Sequence, residues 1–149
     1  MPRPRYPATT FQGSADEVEA AFYEALQTAS VERLMACWSD DEDVVCVHPG
    51  GPRVLGNTEI RASFEAIFTN GGVPAQPERV QRVEAMGCSV HNLIERIDVM
   101  TDDGPRQAWV VATNVYVKTP QGWRMVAHHA SPASVAEAGP AATPPQTLH

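Results

Sequence analysis

The sequence predicts an α+β domain, with helices in its first half packed on one face of a curved antiparallel sheet built by its second half. Three observations lead there. Apolar residues recur at helical spacing in three stretches before residue 70. From Glu78 onward the chain changes to β-rich runs. The turn signals between those runs are short, as a meander requires.

Ser14 followed by Glu17 is a capping box, and Val18, Ala21, Phe22, Ala25, Leu26 and Ala29 then make one apolar helix face. Ser30 caps a short second helix, "VERLMACW", with Val31, Leu34, Met35 and Trp38 apolar. "SDDED" is a solvated turn. Val44 to His48 reads as a strand and "GGPRVLG" as a turn with a short strand. Asn57 is expected to cap a third helix with Ile60, Phe64, Ile67 and Phe68 on one face, ended by "TNGGVPAQP". Four strands follow: "ERVQRVEAMG", "SVHNLIERIDVM", "QAWVVATNVYVK" and "WRMVAHHAS". The predicted order is α-α-β-β-α-β-β-β-β.

The chain has 149 residues, enough for one domain that buries roughly two-thirds of its unfolded surface without staples. Residues 1–13, with three prolines and little hydrophobicity, and the Pro- and Ala-rich residues 132–149 are expected to be flexible tails, leaving 14–131 as the domain. The formal charge is -7 and Lys118 is the only lysine, which argues against nucleic acid and against a polybasic membrane surface. No apolar run reaches the roughly 20 residues of a membrane span, and the N-terminus lacks the apolar core of a secretory signal. Cys37, Cys46 and Cys88 form neither a CxxC pair nor a disulfide framework, so reduced thiols and a cytoplasmic location are expected. Neither a cofactor nor a metal site is expected.

The element order, with "WSDDEDVVCVHPGGPRVLGNTEIRASFEAIF" and "ATNVYVKTPQGWRMVAHHASP", resembles the nuclear transport factor 2-like (cystatin-like) superfamily, and within it the SnoaL-like domains. The resemblance implies a cone: a curved antiparallel sheet wrapped around three N-terminal helices, a pocket at the open end, and a homodimer through the outer sheet face. It does not imply one activity, since the superfamily holds isomerases, cyclases, dehydratases and binding modules. By motif register, ketosteroid isomerase keeps its general base where this chain has His48. Its acidic oxyanion donor, a carboxylic acid held neutral so that it can donate a hydrogen bond, falls at Asn114. Its tyrosine donor falls at Phe22, with Tyr23 one residue out of register.

Alternation along the last strand puts Trp123, Met125 and His129 on one face and His128 on the other. The apolar Trp123/Met125 face should lie inward, carrying His129 with it. The expected pocket is therefore Phe22, Trp38, His48, Asn114, Tyr116, Met125 and His129, binding a small, largely apolar or aromatic molecule. His48 either ends its strand on backbone hydrogen bonds or acts as a general base in an isomerase-, cyclase- or dehydratase-like proton transfer. A third reading is an oligomerisation module similar to the calcium/calmodulin-dependent protein kinase II association domain. His91 has no visible partner, and Cys46 reads as a buried, inert thiol.

Overall fold

The computed structural model describes residues 13–134. Of the tails expected at residues 1–13 and 132–149, all but Gly13 and residues 132–134 lie outside the described residues, and Pro132 is the last residue of a strand. The element order is the expected one: α1 (Ala15–Thr28), α2 (Val31–Ala36), β1 (Val45–Val47), β2 (Arg53–Leu55), α3 (Asn57–Phe68), β3 (Ala75–Ala85), β4 (Cys88–Thr101), β5 (Gly104–Thr119) and β6 (Gly122–Pro132).

Local chemistry sets the helix starts. The Ser14 and Ser30 side chains accept from the N–H groups of Glu17 and Arg33, as N-caps do. The Glu17 carboxylate reaches back one residue further than expected, to the N–H of Gly13 at 3.0 Å. At α3 the expectation was off by one residue. The N-cap is Gly56, and Asn57 spends its side chain on the Ser39 carbonyl, 3.0 Å away, tying the helix to the loop before β1. The αL backbone of Ala29 (φ 58°) ends α1 and turns the chain into α2.

The six strands form one sheet in the order β2-β1-β6-β5-β4-β3. All pairings are antiparallel except β1 with β6, which is parallel. The sheet is thus mixed, because the α3 excursion separates the β1–β2 hairpin from the late meander. The three helices cover one face. Phe22, Leu34, Ile60, Phe64, Leu93 and Met125 are each at most 1% exposed and belong to one apolar cluster between the layers.

One irregularity decides which side chains enter the cluster. In the β5–β6 ladder Val115 pairs with Ala127, but Tyr116 pairs with Met125, so Val126 has no partner of its own. This β-bulge inserts one residue into the period-two alternation. Before it Met125 points inward; after it the inward residues are His128 and Ala130.

The chain after α3 lies hard against the end of α1. The N–H of Val73 donates to the Leu26 carbonyl at 2.9 Å, and Gln27 Nε2 donates to the Ala75 carbonyl at 2.6 Å. A Cβ at Gly72 would sit 2.0 Å from the Gln27 carbonyl oxygen, a backbone atom that cannot turn aside. Gly72→Ala should therefore lower unfolding stability by about 1–3 kcal/mol, the usual range for overpacking, as read from the urea midpoint.

Candidate functional site

Helix α1 presents Glu19, Phe22, Tyr23 and Leu26 to the sheet, spaced i, i+3, i+4 and i+7 on one face. Three strands meet them with their inward side chains. Ser89, Tyr116 and Met125 lie in one row across β4, β5 and β6, and His91, Asn114 and His128 lie in the next. The interior of the cone is thus polar along its midline and apolar around it.

Three of these groups, with Glu95 of β4, form a directional chain. Tyr23 Oη donates to Glu95 Oε2 at 2.7 Å, Asn114 Nδ2 donates to Tyr23 Oη at 3.1 Å, and Asn114 Oδ1 meets His128 Nδ1 at 2.5 Å. An amide oxygen only accepts, so His128 carries its proton on Nδ1 and leaves Nε2 as an acceptor. Every member is at least nine-tenths buried: Tyr23 is 2% exposed, Glu95 4%, Asn114 0% and His128 5%. Burial pushes Glu95 up to about 7, against the opposing hydrogen bond from Tyr23. Burial, helped by the charges of His48 and His129, holds His128 down at about 3. Tyr23 is raised well above its ordinary value, first by burial and then by the Glu95 charge. The Phe22 ring lies against His128, with centroids 5.2 Å apart.

A second set joins His91 to Ser89 and Tyr116 of the neighbouring row and to Glu19 of α1. His91 Nδ1 meets Glu19 Oε2 at 2.9 Å, His91 Nε2 meets Ser89 Oγ at 3.0 Å, and Tyr116 Oη donates to Glu19 Oε2 at 3.1 Å. Asp16 lies at its outer side, 4.0 Å from His91 Nε2 and paired with Arg82 at 2.9 Å. Asp16, Glu19 and His91 offer three possible metal-ligand atoms within 4.8 Å. The hydrogen bonds above already engage the atoms involved.

His48 is half-buried at the end of β1. Its Nε2 is 3.0 Å from Ser63 Oγ and 3.8 Å from Cys46 Sγ, and its ring sits edge-on to Phe64 at 4.8 Å. Burial lowers its pKa, so at neutral pH it is an uncharged base. Burial also pushes the thiols of Cys46 and Cys37 up to about 12, which makes both inert. Trp38 pairs with Met125 in a parallel bridge and is 2% exposed. Its Nε1 has no acceptor among the described residues.

A family model described as SnoaL-like domain matches residues 16–135. This chain belongs to the SnoaL-like domain family. Two crystal structures share 30% of their residues with it. One, from Thiobacillus denitrificans, is named for the calcium/calmodulin-dependent protein kinase type II association domain; the match covers 83% of this chain and 98% of that one, with a TM-score of 0.76. The other, from Streptomyces avermitilis, is named as a dehydratase of the NTF2-like family; the match covers 78% and 92%, with a TM-score of 0.70. The CaMKII hub of S. rosetta, at 20% identity and a TM-score of 0.64 over 88% of this chain and all of that one, shares the fold. No curated protein matches the chain. The nuclear transport factor 2-like, cystatin-like cone is thereby the fold of this SnoaL-like domain. No helix among the described residues is long and apolar enough to cross a membrane.

Of the expected pocket residues, Phe22, Trp38, Asn114, Tyr116 and Met125 all lie in the interior, and His48 lies beside it through Phe64. His129 does not. It is exposed, and His128 takes its place, because the bulge at Val126 shifts the alternation by one. The tyrosine one residue out of register with the isomerase donor, Tyr23, puts its hydroxyl into the polar chain, while Phe22 supplies a ring. Glu19, His91 and Glu95 escaped sequence reading. His91 was read as partnerless; Glu19 and Ser89 are its partners. Glu95 has a usable signal: alternation from Leu93 places it inward.

Glu95 and His128 give this SnoaL-like domain opposing pH dependences. The folded value of Glu95, about 7, lies above its ordinary 4.5. The native state therefore holds an extra proton between them, and this contribution falls as pH rises through that window. The folded value of His128, about 3, lies below its ordinary 6.5. The native state there lacks a proton that the unfolded chain binds, and this contribution rises with pH. Between 4.5 and 6.5 the two slopes oppose each other. Glu95→Gln should expose the His128 contribution, so that stability climbs with pH through that window by on the order of 1 kcal/mol per pH unit more steeply than in wild type. Denaturant midpoints measured across the window check this. Tyr23→Phe leaves Glu95 and Asn114 each short of one partner and should cost about 1–3 kcal/mol, measured the same way.

Proposed function

We propose that this SnoaL-like domain binds a small, largely apolar or aromatic molecule inside the cone, held by Glu95, Tyr23, Asn114 and His128, and transfers a proton on it. The buried chain of those four side chains carries the reading. A carboxyl group, a phenol, an amide and an imidazole are sunk in an apolar core that aliphatic residues would fill at less desolvation cost. Strongly perturbed titrating groups held this way mark functional sites. With a value near neutrality, Glu95 can deliver or accept a proton at working pH. Asn114 and Tyr23 are donors of the kind that stabilise a developing oxyanion. His128 Nε2 is an acceptor for a ligand hydroxyl. Phe22, Trp38, Tyr116 and Met125 supply the apolar surroundings, and His48 at the edge is the general base of the reaction.

The test is a ligand-observed NMR screen of small aromatic carbonyl compounds, with acetophenone and 4-hydroxyacetophenone as first probes, followed by titration of variants. Tyr23→Phe should weaken binding about tenfold, the loss of one well-made hydrogen bond. His48→Ala should leave affinity intact and abolish turnover of any substrate found. Binding that is indifferent to both Tyr23→Phe and Glu95→Gln would place the ligand elsewhere and end the reading.

The outer sheet face favours a second role, as a homodimer interface. Val90, Ile94, Val111, Val115 and Val117 are only half-buried on the side away from the helices. They form two apolar patches on either side of the hydrogen-bonded Asn92–Thr113 pair, a mixed surface of the kind found at association sites, and the likeness to the Thiobacillus association domain agrees with it. Wild type should scatter light as a dimer and Val115→Glu as a monomer. A ring larger than a dimer would favour an assembly module instead.

A further inference from the structure

We propose that Ser89, His91 and Glu19 form a nucleophile–base–carboxylate triad that accepts a small acyl group from an ester. This site is separate from the Glu95–His128 chain and does not depend on the function proposed above.

For a carboxylate beside a neutral imidazole, one set of hydrogen-bond directions satisfies every contact in the set. As a carboxylate, Glu19 can only accept. Its Oε2 takes the Tyr116 hydroxyl proton at 3.1 Å and the His91 Nδ1–H at 2.9 Å. With the proton on Nδ1, His91 Nε2 is a lone pair, and the Ser89 hydroxyl 3.0 Å away must donate to it. A hydroxyl donating to an imidazole whose far nitrogen is held by a carboxylate is the arrangement that activates a serine. The chain supplies it from two elements: Ser89 and His91 at i and i+2 on the inward face of β4, and Glu19 from α1. Burial is near complete, with Ser89 2%, His91 0% and Glu19 6% exposed, so water does not compete for these contacts.

Electrostatics and access point the same way. Asp16 Oδ1, 4.0 Å from His91 Nε2, favours the imidazolium formed once the serine proton is taken. Arg82, opposite His91 in the β3–β4 ladder and bonded to Asp16, puts positive charge beside the set. The Asp16 and Arg82 side chains are 56% and 41% exposed, so this ion pair is the outer wall of the site. With Ser89 only 2% exposed, an ester reaches its hydroxyl only when this ion pair parts, which restricts the acyl group to about the size of acetyl.

In the step, Ser89 Oγ attacks the ester carbonyl carbon while its proton passes to His91 Nε2. The tetrahedral adduct collapses by breaking the bond to the alcohol oxygen, which leaves with the His91 proton, and Ser89 carries the acyl group. Water then attacks the acyl-serine and gives its proton to His91. Ser89 Oγ leaves and recovers that proton, releasing the carboxylic acid.

The experiment treats the full chain with p-nitrophenyl acetate, follows p-nitrophenol release, and locates acetylation by peptide mass spectrometry. Acetyl-Ser89 should form in wild type. Ser89→Ala, a change of one buried oxygen, should slow release about a hundredfold, the usual worth of positioned proton transfer with a nucleophile. Glu19→Gln should slow it and also shift the pH profile, which a purely structural partner would not do. A folded wild type that shows no acetyl-Ser89, or a Ser89→Ala protein with unchanged release, overturns the proposal.

Discussion

Everything in this domain depends on how helix α1 is seated in the concave face of the sheet. Two polar residues one helical turn apart, Glu19 and Tyr23, each bond to side chains more than seventy residues away in sequence. Apolar packing alone would let the helix slide or rotate at small cost, since a greasy face tolerates repacking. Buried hydrogen bonds do not, because a displaced helix would leave a carboxylate and a phenol without partners at a few kcal/mol each. Phe22, between the anchors, and Leu26, one turn past Phe22, then join the apolar cluster that holds Phe64 and the inward side chains of β5 and β6.

With the helix fixed, the sheet decides which groups face it. Rows of side chains across β4, β5 and β6 set Ser89 beside Tyr116 and His91 beside Asn114 and His128. The single extra residue at Val126 brings His128 rather than His129 into that row. Without it, the Asn114 amide oxygen would have no imidazole donor, and the directional chain would end at the amide.

The interior holds two polar sets that share the helix but differ in character. One ends in a carboxyl near neutrality and an imidazole kept uncharged by burial. The other joins an imidazole to a carboxylate on one side and a serine hydroxyl on the other. Both lie in the buried layer between helix and sheet, while the shallow surface depression of ≈420 Å³ at Asp98, Pro105, Arg106 and Gln107 shares no residue with either. The neighbouring structures named as a dehydratase and as an association domain carry the same cone. The chemistry of this member therefore has to be read from its own inward side chains rather than from the scaffold.

The sequence by itself determined the element order, the serine caps of α1 and α2, the helix faces and the cone class. The cone class rests on the family resemblance; the others rest on local periodicity and on side chains that bond within their own turn. It also placed Asn114 inward, through a resemblance. Only the tertiary structure decided which of two adjacent histidines enters the core, because a β-bulge is a matter of register between strands and leaves no mark in the bulged residue, here an ordinary valine. Only the tertiary structure paired His91 and Glu95 with residues of α1, since an inward polar side chain on a strand finds its partner across the core and not along the chain. His48, at the end of β1, stands beside the interior against Phe64 and Ser63. The densest chemistry, however, was assembled by contacts that no stretch of sequence contains.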